Sequence, residues 1–361
     1  MKKILMTSLV ASSMLLAGGY KIPETSTNSV ALGGANIAHT SSADAAYDNP
    51  ANMIFMDDRN ELEVDLMYIG LSATKFDGTV KTSPQRSLTS EEQTFIIPSV
   101  HYVSPKLGEN GVRVGLSIVV PGGLTRQWNE EPAKTAAEEF TLRIIEINPT
   151  VAYEITDKLA MAFGFRMVHT SGIVKSNGTA VIHSSGATSV LARDLTGSSL
   201  DYGYNLALAY HPTSNLDLAV TYRSKVALTV DGTADLSSTA VPLAGIPAGS
   251  YNGDASVTIP LPATFSTAVA YTFPSKTTVE FVYEIAYWSS YETLDFNYDG
   301  TIVNPVLTAA FDNPIAKNWK DTNTFRIGIT QELDSVRLMA GLVIDESPTP
   351  ESTLNFESPG S

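Results

Sequence analysis

ELEVDLMYIGL, residues 61–71, places Leu62, Val64, Leu66 and Tyr68 on one side and Glu61, Glu63 and Asp65 on the other. Side chains in a strand point to opposite faces at every second residue, so this stretch reads as a strand with one apolar and one acidic face. The same period returns down the chain. Leu159, Met161, Phe163, Phe165 and Met167 oppose Ala160, Ala162, Gly164 and Arg166, and Tyr202, Tyr204, Leu206, Leu208 and Tyr210 oppose Gly203, Asn205, Ala207 and Ala209. Val279, Phe281, Tyr283, Ile285 and Tyr287 oppose Glu280 and Glu284; Phe325, Ile327 and Ile329 oppose Arg326; Val336, Leu338 and Leu342 oppose Arg337.

Such alternation fits a half-exposed soluble sheet or a membrane barrel, and the two differ in which face turns out. Here the second face is small or charged, as a barrel lumen requires, and Tyr at both ends of an apolar stripe suits interfacial girdles. After the N-terminus no run of about 18 apolar residues occurs, so a closed β-barrel is the spanning structure left. Eleven strands can be counted, at 61–73, 94–104, 111–121, 140–155, 158–174, 199–211, 215–231, 254–273, 277–297, 322–333 and 335–345. Short links (105–110, 156–157, 212–214, 274–276 and 334) alternate with long ones near 74–93, 122–139, 175–198, 232–253 and 298–321. Short periplasmic turns against long outer loops is the outer-membrane pattern.

Ahead of the first strand stands VALGGANIAHTSSADAAYDNPANM, Val30 to Met53. It has neither period and is rich in Ala, Gly, Ser and Asn; small residues let backbones approach closely, and Pro50 pushes Asn49 towards extended geometry. Such a segment packs inside a container. Residues 1–18, with Lys2 and Lys3 before an apolar run from Ile4 to Leu16, read as a secretory signal peptide. The mature chain then begins near Tyr20. The 361 residues contain no Cys, which excludes lipoprotein, disulfide and thiolate sites, and the net charge of −15 argues against nucleic acid.

In this order the Gly19-Tyr20 start, Asn49-Pro50-Ala51, Thr221-Tyr222-Arg223-Ser224, Leu261-Pro262, Ala286-Tyr287-Trp288-Ser289 and Asp345 to Pro350 resemble the FadL family of outer-membrane transporters. The resemblance implies a fourteen-stranded barrel, plugged by an N-terminal hatch, that passes long-chain fatty acids or other hydrophobic compounds passively. In the family, substrate moves from outer loops to a lumen site and leaves sideways where the third strand kinks. Carried over, the organisation is a signal peptide at 1–18, a hatch at 19–59 and a barrel at 60–361. Asn49, Pro50 and Ala51 match the hatch motif, Tyr20 stands at the N-terminal aromatic position as a substrate-binding residue, and Pro121, Gly122 and Gly123 are the candidate lateral gate. Pro removes a ladder donor and Gly permits positive φ, which supports a local failure of pairing there. A plain start of the outer loop is the other reading.

Catalysis and cofactors are not expected. His39, His101, His169, His183 and His211 lack zinc spacing, and neither a G-x-S-x-G elbow nor a phosphate loop occurs. Asp295 to Gly300 matches half a calcium loop, but Val306 stands where the bidentate Glu belongs. Arg166, Arg326 and Arg337 fall on lumen faces, to pair with Glu280, Glu284 or Asp65 or to meet a substrate carboxylate. The expected protein is a monomer in outer-membrane lipid taking up a hydrophobic small molecule, with a general porin or a structural or adhesive barrel as alternatives. An even strand number closes such barrels, so a count of eleven leads to the expectation of a chain truncated at its C-terminal end.

Overall fold

The computed structural model describes residues 18–78, 86–108, 111–182 and 186–357; the expected signal peptide lies outside these residues except for Gly18. The alternating segments form one antiparallel sheet of 14 strands. In chain order these are β1 (Glu61–Leu71), β2 (Gln93–Val103), β3 (Val112–Gln127), β4 (Glu139–Thr156), β5 (Leu159–Val181), β6 (Thr188–Thr213), β7 (Leu216–Arg223), β8 (Val226–Ser238), β9 (Gly249–Leu261), β10 (Thr264–Thr272), β11 (Thr277–Ala286), β12 (Phe296–Tyr298), β13 (Thr322–Glu332) and β14 (Arg337–Asp345). Neighbours run β1-β2-β3-β4-β5-β6-β7-β10-β11-β13-β14, eleven across, while β8 and β9 prolong the β7–β10 hairpin beyond its end.

Among the described residues β1 and β14 each have one sheet neighbour, yet both reach the same short helix. Thr27, which opens α1 (Thr27–Ala31), donates its backbone N–H to Asp65 of β1 at 3.2 Å. On the other side Gly341 of β14 approaches so closely that a Cβ would come within 2.0 Å of the Leu32 carbonyl carbon. The sheet therefore curls around the N-terminal segment until its two ends meet α1.

Its faces are sorted as the period predicts. Leu66, Tyr68, Phe163, Leu206, Phe281 and Ile327 turn outward and are exposed, whereas Ala162, Ala207, Ala270, Arg166, Glu280 and Arg326 are buried inside. In water so continuous an apolar exterior would be an association site; in lipid it is matched to its solvent. On β6 the outward apolar stripe runs from Leu200 to Tyr210. At about 3.4 Å per residue and a tilt near 45° it spans roughly 24 Å, the height of a bilayer-facing band.

Beyond that band the chemistry inverts while the alternation continues. On β6 the outward residues become Asp194, Thr196 and Ser198 while Leu191 and Leu195 are buried; on β8 Asp231, Thr233 and Asp235 face out while Val226, Leu228 and Leu236 are buried. This corrects the loops expected near 175–198 and 232–253, because β5 and β6 pair from Val181↔Thr188 downward and β8 and β9 pair up to Ser238↔Gly249. A strand whose outer face meets water has its apolar side inward, so a search for outward apolar stripes passes over it. These extensions enclose an apolar interior of Ile144, Leu195, Val226, Leu228, Ile259 and Leu261 above the N-terminal segment.

Candidate functional site

Glycines bring the N-terminal residues under this interior. Gly19 has φ +68°, and a Cβ on it would lie 2.8 Å from Trp319 and 2.9 Å from Trp288. Tyr20 follows, 4% exposed, with its ring edge-on to Trp288 at 4.8 Å and 5.7 Å from Trp319. Its hydroxyl donates to the Pro260 carbonyl. Burial first, then Tyr291, raises the Tyr20 pKa well above the usual phenol range, which keeps that donor protonated. A cavity beside it is lined by Tyr20, Leu124, Phe140, Leu142, Ile259, Tyr291 and Trp319, with Lys317 and Glu357 at its polar side. Opposite Phe140 on β3 stands Arg126, 4% exposed, whose Nε and Nη1 lack hydrogen-bond partners among the described residues.

Strand pairing in the wall lapses next to Tyr20. β2 is paired with β1 along its whole length but with β3 only at Val100–Val103 against Gly115–Ile118. β3 continues to Gln127 on β4, with a bulge between Val119 and Gly122. The triplet Pro121-Gly122-Gly123 thus lies inside a strand and does not start a loop, and its freed edge is taken by the N-terminus. Ile22 N–H donates to Pro121 O at 2.9 Å, Gly123 N–H donates to Tyr20 O at 2.8 Å, and Lys21 bridges Gly122. A Cβ on Gly122 would sit 2.7 Å from Tyr20 O, so glycine is required by the approach. Contact across the gap resumes where Glu91 N–H meets Gln127 O at 2.9 Å.

Wall charges hold the rest of the N-terminal segment by its backbone. Glu280 accepts the N–H groups of Ile37, Ala38 and His39 at 2.7, 2.7 and 3.1 Å. Arg113 donates to the carbonyls of Met53, Met56 and Asp57, closing the 3-10 turn Pro50–Phe55. Asn49 caps that turn by accepting from Ala51 N–H at 3.1 Å and donates to Ile37 O at 2.8 Å, and Ala51 is fully buried. Arg223 lies 3.9 Å over the Tyr47 ring. His39 Nδ1 meets Asp217 at 2.7 Å, and that hydrogen bond raises the imidazole pKa against the opposing effect of burial. Half-buried Asp48 is pushed well above the usual carboxylate range, by desolvation first and Asp44 second.

Of the pairings expected for the arginines, Arg326 with Glu284 is present, while Arg166 and Arg337 find other partners. Arg166 pairs in two places with Glu146, at 3.0 and 2.8 Å, because strand pairing places Glu146 diagonally beside it. Arg326 meets Glu24 at 3.2 Å and Glu284 at 3.6 Å, and Arg337 meets Glu332 at 2.7 Å. Glu280 is taken by backbone N–H groups and Asp65 by Thr27. Asp295 to Gly300 contains β12, which pairs with β9, and turns at Gly300 with φ +91°.

A model of the family described as "Outer membrane protein transport protein (OMPP1/FadL/TodX)" matches residues 8–361. A long-chain fatty acid transport protein of Salmonella typhi is 23% identical over 381 residues, covering 97% of this chain and 82% of its own. The crystal structure of a Pseudomonas aeruginosa FadL homologue superposes with a TM-score of 0.75 at 19% identity, over 95% of this chain and 84% of that one. The Ralstonia pickettii toluene transporter TbuX does so at 0.70 and 19%, over 89% and 86%.

Proposed function

The chain belongs to the OMPP1/FadL/TodX family of outer-membrane transport proteins, and from that premise we propose that it passes long-chain fatty acids, or hydrophobic molecules of similar size, through the Tyr20 cavity and out sideways between β2 and β3. Members of the family are transport proteins of the Gram-negative outer membrane, which fits the apolar exterior. The observation that carries the proposal is that one residue serves both features: the Tyr20 ring lines the cavity and the Tyr20 carbonyl occupies the edge of β3 where pairing with β2 lapses. A molecule leaving the cavity past that edge moves directly into lipid and never meets periplasmic water.

In this reading residues 19–59 are a hatch and residues 60–361 the barrel around it, inserted as a monomer in outer-membrane lipid. A general porin needs an open polar lumen, and the buried backbone ties to Glu280 and Arg113 argue against one. The orphan guanidinium of Arg126 beside Phe140 favours an anionic head group over a plain hydrocarbon, since a buried unpaired charge is costly. Uptake of radiolabelled palmitate by cells whose own transporter is deleted tests the route. Replacing Pro121, Gly122 and Gly123 by Val, Thr and Val restores a pairing-competent strand and should slow uptake at least about tenfold. Unchanged uptake would contradict a sideways exit.

A further inference from the structure

A row of carboxylates runs from the N-terminal segment to β1 with amide nitrogens between them. Asn36 Nδ2 donates to Asp44 Oδ2 at 3.0 Å and to Asp48 Oδ2 at 2.9 Å. Asn28 Nδ2 donates to the same Asp44 oxygen at 3.0 Å and to Glu63 Oε1 of β1 at 3.4 Å. Ser26 Oγ is a third donor to Asp44 Oδ2, at 2.8 Å, and Asp44 N–H meets Glu63 Oε2 at 3.4 Å. Asp44 is fully buried, yet its Oδ1 accepts no hydrogen bond among the described residues, and neither does Oδ1 of Asn28, 6% exposed. Both oxygens are acceptors left without a donor, a cost that a hydrogen on a neighbouring carboxyl removes. Beside Asp48 a cavity of about 40 Å³, lined among others by Ser29, Ser266, Glu284 and Arg326, has room for water and so for proton exchange.

We propose that Asp48 and Glu63 carry protons that latch the N-terminal segment to β1, so that the segment is seated in acid and loosens at β1 as the pH rises. The latch is independent of what the Tyr20 cavity carries. Asp44, with three donors on Oδ2, keeps the charge, and further charges beside it meet no free counter-ion. Of the groups that face Asp48, Asp44 and Glu280 are acids and Arg223 already pairs with Glu146. Across the cavity Arg326 pairs with Glu24 and Glu284, and Lys21 with Glu284. Glu63 faces Asp44, Asp65 and Asp48, and His101 of β2 faces Asp44 and Asp65. An Asn nitrogen donates hydrogens to two such neighbours but carries no charge to offset theirs. A carboxyl held above its ordinary pKa, as Asp48 is, costs the fold nothing below that ordinary value and progressively more as the pH climbs to the folded one.

The chain has no Cys, so the full protein in detergent takes a single nitroxide through Ser41→Cys, at an exposed position of the segment, and label mobility is read from about pH 5 to pH 9. The mobile-to-immobile ratio should grow at least about tenfold over that range. With Asp48→Asn and Glu63→Gln together, which supply N–H donors in place of the protons and cannot ionise, the label should stay immobile throughout; Asp48→Asn alone should remove part of the rise. His39→Gln, which takes away the titrating tie to Asp217, should leave most of it. A flat profile with the native acids in place, a rise that neither the double nor the single substitution reduces, or a rise that His39→Gln abolishes would overturn the latch. Recovery of the immobile label by calcium at the alkaline end would overturn it too, by making the row a cation site.

Discussion

Tyr20 joins the cavity to the edge of β3 where pairing with β2 lapses, and its side chain and backbone can be tested apart. Tyr20→Ala removes an aromatic face worth roughly 1.5–3 kcal/mol to a bound apolar ligand, which is a loss of affinity of about tenfold or more. Its effect on unfolding of the sheet should be small, because Tyr20 lies outside the strands, and equilibrium binding beside a heat-modification assay reads both. Gly19→Ala acts on the backbone: it forces φ +68° on a residue with a Cβ and drives that Cβ into Trp319. We expect it to dislodge Tyr20 and match Tyr20→Ala in binding. Normal affinity in Gly19→Ala would show that the N-terminus repacks without its turn. The sequence singles out Tyr20 by resemblance and the Pro121-Gly122-Gly123 triplet by lost donors and permissive φ, and the structure sets the two against each other; their roles in binding and exit belong to the proposal. Trp319 and Arg126 are not singled out in the sequence, since Trp319 acquires its aromatic neighbours only when distant segments pack together, and Arg126 differs from other strand arginines only in leaving buried N–H groups unpaired among the described residues.

Among the elements, the N-terminal segment shows most clearly what a period can and cannot tell. The absence of any period between Val30 and Met53 marked it as contents and not container, and the structure places it inside the curl. Its ties were hidden, because Glu280 and Arg113 serve N–H and C=O groups that carry no residue identity. The extensions of β5, β6, β8 and β9 were hidden for another reason: their apolar faces turn inward once the outer face meets water. One tie of the segment titrates. His39 faces Asp217 and Glu280, with Arg337 and, through Asp217, His211 nearby, and its pKa is raised chiefly by the Asp217 hydrogen bond. A raised folded-state pKa stabilises fully below the ordinary imidazole value and is lost as pH rises through the folded one. Between pH 5.5 and 8.5 the wild type should therefore lose more thermal stability than His39→Gln. Parallel pH profiles of the two proteins would remove His39 from the account.

At the scale of the whole molecule, the sheet turns its apolar face out and its polar, small-residue face towards the N-terminal segment. Planar bilayers should show little ion conductance for the intact chain, while deleting residues 24–50 should raise it severalfold as the buried wall charges become lumen charges. A large steady conductance of the intact protein would favour the porin alternative. Whether an apolar ligand reaches the Tyr20 cavity is read by photo-crosslinking with a diazirine-bearing palmitate followed by peptide mapping. Label is expected in the peptides that carry Tyr20, Trp288 and Trp319, competed by unlabelled palmitate; label confined to outward-facing residues such as Phe163 and Leu206, with no competition, would rule out passage through the cavity.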